Sequence, residues 1–366
     1  MMRAHPSFFF AAALCAGTGA AHAQHSTTVA VELERIENPL LAPVSPGGAT
    51  VLRLIPNYSF ETESDRIRSR FTAGAVIERS SNTQLLASRE YPSLGYTWAY
   101  AWPTASLELR ANLAESATRN SELRDSGRVT VDSRERALTA GATWTKELTS
   151  RTRLAVGAEN NRVTYDSPLL VDYREQEIST RLSWEQSEQA SYYVEPVHGR
   201  LTPAGGGAAS TVNRWRVGTV RELSPAWSLS ASAGQARTGR PQNSTSGVGG
   251  VLLTYAGSRW TSSAEWVKDV DAVGFTTGYV KTEAVRLRVG YRLTEGATLS
   301  ASTARSRAVD VAGGIGSVSN LTLENEIGTN WNSILGVEDR RTKDVAGVSG
   351  RGWAVRAGLV YLFTGR

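Results

Sequence analysis

Hydrophobic and polar residues alternate along most of this chain. Near its end, Trp353, Val355, Ala357, Leu359, Tyr361 and Phe363 form an unbroken apolar row at every second position, with Arg356 and Gly358 in the opposite row. Period two marks a strand with one face held against apolar surroundings. The same alternation recurs upstream. Leu52, Leu54, Pro56, Tyr58 and Phe60 oppose Arg53, Asn57 and Ser59, and Phe71, Ala73, Ala75 and Ile77 oppose Arg68, Arg70, Thr72, Gly74 and Glu78. Leu94, Tyr96, Trp98, Tyr100 and Trp102 make the most aromatic row, and Leu107, Leu109, Ala111 and Leu113 oppose Glu108, Arg110 and Asn112. Val285, Leu287, Val289, Tyr291 and Leu293 oppose Arg286, Arg288, Gly290 and Arg292. Helical periodicity fits none of these windows. A soluble two-sheet sandwich also alternates, but it has no need of uniform apolar rows set against rows of charge and glycine.

The breaks between segments come in two sizes. Short ones fall near 62–65, 103–104, 149–150, 187–188, 224–225, 257–258, 295–296 and 328–329. Longer polar or glycine-rich ones fall near 38–48, 79–88, 117–130, 167–173, 203–211, 239–248, 271–279, 309–317 and 342–350. Short periplasmic turns alternating with long surface loops are expected of an outer-membrane barrel, whereas a sandwich or propeller has no reason to produce them. The expected fold is all-β: a transmembrane antiparallel up-and-down β-barrel of about 18 strands, with both chain ends on the short-turn side. The segment Thr27 to Glu37 is the thinnest, because Glu32, Glu34 and Glu37 leave only Val29, Val31 and Leu33 as its apolar row. Residues 24–48 are therefore either the first strand or a periplasmic tail, followed by the first loop, and a tail would bring the closure down to about 16 strands.

The N-terminus adds a route. Arg3 and His5 precede the apolar run Phe8 to Leu14, and Ala21-His22-Ala23 offers small residues for cleavage before Gln24. Residues 1–23 read as a secretory signal peptide, with 24–366 as the barrel. Cys15, the only cysteine, lies inside the leader, and Leu14 stands where lipoprotein attachment needs a small residue. The mature chain then has no cysteine, which excludes a disulfide scaffold, thiol catalysis and cysteine-bound metal. After the leader no apolar run approaches the roughly 20 residues of a spanning helix. A mean hydropathy of -0.27 with 34 glycines, 10 tryptophans and 12 tyrosines suits barrel strands, which alternate and so look hydrophilic on average. The net charge of +5 is spread along the segments rather than blocked, so no nucleic-acid partner is expected.

Candidate chemistry is sparse. The mature histidines are His25 and His198, and His198, beside Glu195 and Arg200, reads as an ordinary lumen or interface residue. No G-x-S-x-G turn and no metal-ligand spacing is present, so neither catalytic residues nor a cofactor or metal is expected. The polar rows are more informative. Arg68, Arg70, Glu108, Arg110, Arg153, Glu159, Arg181, Arg214, Arg216, Arg286, Arg288 and Arg292 are expected to line the lumen, with Glu177, Glu185 and Arg356. Such charges either tune which solutes pass, with an arginine excess favouring anions, or pair across the wall. The stretch 117–133, carrying Arg119, Glu122, Arg124, Asp125, Arg128 and Asp132, is the candidate for a loop folded into the lumen. Trp102, Trp184, Trp227, Trp260 and Trp331 lie near the short breaks, where a girdle of aromatic rings is expected.

Two resemblances follow. Arg356, Gly358, Tyr361 and Phe363 resemble the pattern by which bacterial outer-membrane barrels present their last strand to the barrel-assembly machinery, with Thr364-Gly365-Arg366 as an extension. Arg35-Ile36-Glu37-Asn38-Pro39-Leu40, Leu54-Ile55-Pro56-Asn57-Tyr58-Ser59 and Glu147-Leu148-Thr149-Ser150-Arg151-Thr152-Arg153-Leu154 resemble outer-membrane β-barrels encoded near exopolysaccharide and PEP-CTERM systems. That resemblance implies a non-enzymatic barrel among outer-membrane lipids, a pore or conduit for polysaccharide or another anionic solute. A barrel with an occluded lumen and partner-binding loops is the alternative, and an outer-membrane hydrolase the remote one.

Overall fold

The computed structural model describes residues 22–127, 129, 131–239, 243–309 and 314–365. The strands are β1 (His22–Glu37), β2 (Gly48–Glu63), β3 (Ile67–Ser80), β4 (Arg89–Trp102), β5 (Ala105–Ala117) and β6 (Arg134–Thr149). They continue with β7 (Thr152–Tyr165), β8 (Tyr173–Ser187), β9 (Ala190–Pro203), β10 (Ser210–Ser224), β11 (Trp227–Thr238) and β12 (Ser244–Ala256). The last are β13 (Trp260–Ala272), β14 (Tyr279–Arg292), β15 (Ala297–Ala308), β16 (Ile315–Gly328), β17 (Trp331–Lys343) and β18 (Ser349–Gly365). A helix, α1 (Thr118–Ser126), lies between β5 and β6. Each strand pairs antiparallel with its neighbours in sequence, and β1 pairs with both β2 and β18, closing an 18-stranded ring. A closed ring has no outermost edge strand.

The first segment is a full strand and the closure is 18, so the 16-strand alternative falls. One of the glutamates that thinned its apolar row has a structural reason. Glu34 is buried and pairs with Arg53 on β2 at 2.6 Å. β1 opens at His22, taking in His22 and Ala23 of the expected cleavage site. The rest of the signal-peptide reading, Cys15 included, lies outside the described residues.

Strand alternation sorts every side chain to one of two faces. The outward face holds large apolar groups left exposed around the ring, including Leu33, Leu54, Phe71, Leu109, Val217, Leu287, Leu335 and Val355. Exposure on this scale is foreign to a water-soluble surface and suits a hydrocarbon one. From Trp353 to Phe363 the row is about 33 Å long, about 25 Å along the axis at a tilt near 40°. Its lower border is a set of aromatic pairs on neighbouring strands: Trp184 with Tyr192, Trp227 with Tyr255, Trp260 with Tyr291 and Trp331 with Tyr361. All lie at the short-turn end, where the tryptophan positions placed a girdle.

The long connections do not simply project. Leu86, from the loop between β3 and β4, packs on Ile36, Ala49, Val51 and Ala354 inside the wall. Above Lys268, β13 no longer pairs with β12, while β13 and β14 stay paired to Ala272 and Tyr279. This freed hairpin bends inward, so that Ala272 and Tyr279 pack on Val163, Tyr173 and Leu201 of β7, β8 and β9. Gly274 at its tip accepts a backbone hydrogen bond from Val171 at 2.6 Å.

Candidate functional site

The mouth at the long-loop end is crossed by α1. Little in its composition favours an isolated helix, since Leu123 is its one large apolar residue. Docking holds it instead. Thr118 donates to the Val131 carbonyl at 2.5 Å and accepts from the Ser133 amide at 2.9 Å, which closes the loop at its base. Ser121 donates to Glu135 at 2.6 Å. At the far end Ser306 on β15 donates to the Leu123 carbonyl at 2.8 Å, and Thr342 on β17 donates to the Gly127 carbonyl at 2.9 Å. Because β5 and β15 lie on nearly opposite sides of the ring, these contacts carry the helix through the lumen. Gly127 ends it in the left-handed region, with φ 73. A Cβ there would come within 2.3 Å of the Gly316 amide and 2.5 Å of the Ser306 carbonyl.

An alternating chain of charge anchors the other end. Glu34 and Glu78 flank Arg53 at 2.6 and 2.8 Å, Glu78 and Asp132 flank Arg119 at 2.9 and 2.6 Å, and Asp132 continues to Arg89 at 2.9 Å. Three carboxylates and three guanidiniums thus come from β1, β2, β3, β4 and the α1 loop. Burial alone would lower the Arg119 pKa, but Glu78 and Asp132 outweigh it and hold the guanidinium above its ordinary value. Arg119 and Asp132 fell in the stretch proposed to fold inward. Glu34, Arg53 and Glu78 were not among the lumen residues expected, although the inward row of Arg53 and Glu78 was visible as alternation.

The expected lumen residues all share the face that α1 touches, by strand parity from Glu78, Glu135 and Ser306. Most of their charges are paired. Arg68 meets Glu61 at 2.8 Å, Arg181 meets Glu195 at 3.0 Å, Arg286 meets Glu265 at 2.9 Å, and Arg153 meets Glu185 at 3.2 Å. Arg214 bridges Glu177 and Asp269, and Arg216 joins Asp269. Arg110 pairs with Glu159 two strands away, and the register Arg110–Gly141–Glu159 explains how. Gly141 presents no side chain, and the Arg110 guanidinium lies over it. The same device recurs at Thr322–Gly336–Arg356, where Arg356 crosses Gly336 and donates to Thr322 at 3.2 Å.

Arg70, Arg288, Arg292 and Glu108 have no ion-pair partner among the described residues. All four lie in the half nearer the short turns. His198 is on the outward face, its Nδ1 2.7 Å from Asn213 Oδ1. Among the described residues no three His, Cys, Asp or Glu side chains are grouped to hold a metal ion. In the terminal motif, Gly358 stands between Glu32 and Ile334, and Tyr361 packs edge-on to Phe363 at 4.2 Å.

Solved structures with similar folds exist. OccAB4 of Acinetobacter baumannii superposes with a TM-score of 0.53 at 11% identity, covering 94% of this chain and 98% of its own. The outer membrane protein OpdK of Pseudomonas aeruginosa gives 0.51 at 13% identity, covering 93% and 99%. OpdK of Pseudomonas aeruginosa with vanillate gives 0.53 at 12% identity, covering 94% and 99%. No protein-family model and no curated protein matches the chain. At such identities the likeness is one of fold: this chain is a closed 18-stranded β-barrel of porin-like architecture.

Proposed function

We propose that the protein is a non-enzymatic outer-membrane channel for small solutes, with a preference for anions. The observation that carries this reading is the strip on β14 where Arg288 and Arg292, without an ion-pair partner among the described residues, face the lumen below the mouth that α1 crosses. Arg70 on β3 and the likewise unpaired Glu32, Glu108 and Glu324 lie elsewhere on the same inner face. A local strip of fixed positive charge along an aqueous passage raises the concentration of anions beside it. The likeness to OpdK with vanillate supports a small carboxylate as solute class. The long-loop end would face outward from the cell and the short turns the periplasm. Export by way of a cleaved leader and a link to polysaccharide secretion rest on sequence alone. A mouth narrowed by α1 and the β13–β14 hairpin suits small solutes better than a polymer.

Planar-bilayer recording tests this. Stepwise conductance with a reversal potential displaced toward anions in a salt gradient is expected. Silence across a range of voltages would instead select a barrel with an occluded lumen, a reading favoured by the inward folding of α1 and of the hairpin tip. The assembly role of Arg356, Gly358, Tyr361 and Phe363 belongs to the same proposal, since a barrel must be inserted from the periplasm.

A further inference from the structure

One outward patch has no part in conduction. At the long-loop end a single register runs Arg305–Ser317–Arg341–Arg351 across β15, β16, β17 and β18. These residues point outward, because Ser306, Gly316 and Thr342, one position along, touch the α1 loop inside. Arg341 and Arg351 stand directly opposite each other, a like-charge pairing that works against the sheet. Asp339 relieves part of this, accepting from Arg341 Nε at 2.6 Å and Arg351 Nε at 2.7 Å. Their side chains remain 59% and 67% exposed. Arg305 and Lys343 have no ion-pair partner among the described residues. Among the described residues, Asp339 is thus the one carboxylate paired with this group of four cations, and it holds Arg341 and Arg351 alone.

The patch is also shaped. The β1–β2 loop forms its rim: Asn38 donates to the Arg351 carbonyl at 2.9 Å and the Ala42 carbonyl at 2.7 Å, while Leu41 turns to the inner face against Gly350 and Gly352. Pro43 and Ser45 of that loop, with the four cations and Ser317, enclose a hollow of about 680 Å³. Arg305 and Arg351 are three interstrand spacings apart, about 14 Å. Just toward the short turns, Leu321, Val337 and Val355 begin the apolar band. Cations thus sit where an outer-leaflet headgroup would lie, directly above the acyl-chain zone.

We propose that this hollow binds the phosphorylated sugar headgroup of an outer-leaflet glycolipid, with its acyl chains along Leu321, Val337 and Val355. Guanidinium forks match phosphate oxygens in geometry as well as charge. The repulsion between Arg341 and Arg351 is relieved once an anion lies between them. An acidic protein partner fits less well, because apolar surface borders the patch on the membrane side alone.

The inference rests on the outer-membrane reading. The purified full-length barrel in detergent should retain diphosphoryl lipid A in native mass spectrometry. R305Q/R341Q/R351Q should weaken retention at least tenfold, and fully dephosphorylated lipid A should not distinguish the two proteins. Asp339→Asn, which leaves all the cations in place, should strengthen retention severalfold and serves if the triple variant does not give a heat-modifiable barrel. Equal retention of diphosphoryl lipid A by wild type and variants overturns the proposal. Density-gradient fractionation of cells separates the two failures. A barrel found in the outer-membrane fraction with variant-insensitive lipid binding loses this inference alone, whereas its absence from that fraction removes the membrane reading too.

Discussion

Arg119 on α1 and Glu78 on β3 form an ion pair at 2.9 Å in which both side chains are almost wholly buried. Glu78 reaches Arg53 in the wall, and Arg119 reaches Asp132 at the base of its own loop. A polar helix with one large apolar side chain has little hydrophobic burial to hold it. Charge pairing and backbone hydrogen bonds at its two ends do so instead.

Replacing Arg119 by methionine leaves two buried carboxylates with one guanidinium each, Glu78 with Arg53 and Asp132 with Arg89. Removing one partner of a buried pair costs about 3–5 kcal/mol, here charged to the docking of α1 rather than to the ring. Amide exchange in α1 should accelerate by orders of magnitude, with the strands still protected, and unitary conductance should rise. Unchanged exchange would show that the pair does not hold the helix.

Gly127→Ala attacks the other anchor. An L residue in the left-handed region costs roughly 1–2 kcal/mol, and the added Cβ also meets Gly316 and Ser306. The expected outcome is a noisier open level in bilayer recordings, with a smaller stability loss than Arg119→Met in denaturant titration. A quiet trace identical to wild type would contradict the docking geometry.

Selectivity should depend on which arginines are free. Changing Arg70, Arg288 and Arg292 together to glutamine should move the reversal potential in a salt gradient toward cations. Changing Arg181 and Glu195 together to glutamine, a balanced removal of one paired couple, should leave it nearly unmoved. Equal shifts from both would mean that pairing does not set the lumen field.

The outward band can be mapped by energy. Leu335→Arg places a charge near mid-band and should destabilise the barrel in lipid vesicles by about 2–4 kcal/mol. Val348→Arg, in the loop beyond β17, should change stability by within about 0.5 kcal/mol. Similar values at both positions, measured by unfolding in denaturant, would place the apolar boundary elsewhere.

Assembly should depend on the last aromatics. Tyr361→Ala with Phe363→Ala removes a ring contact at 4.2 Å and the partner of Trp331. The heat-modifiable fraction in cell envelopes should fall severalfold. Trp353→Ala, the loss of one large ring at the opposite end of the same strand, serves as the control. Matching losses would assign the effect to burial rather than to a terminal signal.

Much of this architecture is written locally. Alternation at period two assigns each side chain to a face, because successive residues of a strand point opposite ways. From Arg68, Arg110 and Arg286 it could be read that they point inward, and from Trp227, Trp260 and Trp331 that they lie near the short turns. The number of strands followed from two break lengths, since short turns and long loops alternate in an up-and-down barrel. The sequence by itself therefore determined the wall, its two faces and its polarity.

What lies between the walls was decided by the tertiary structure alone. The acidic residue Glu34 looked like a flaw in the first strand until the ring placed Arg53 beside it. Glu78 and Arg119 share no periodicity, and they meet only because a loop turns inward from β5. Arg110 reaches Glu159 because the register sets Gly141 between them. Arg341 and Arg351 become one patch through strand pairing, not through any pattern within either strand. Each relation depends on which strands are neighbours and on where a loop goes. Those are properties of a closed ring, and local patterning carries no record of them.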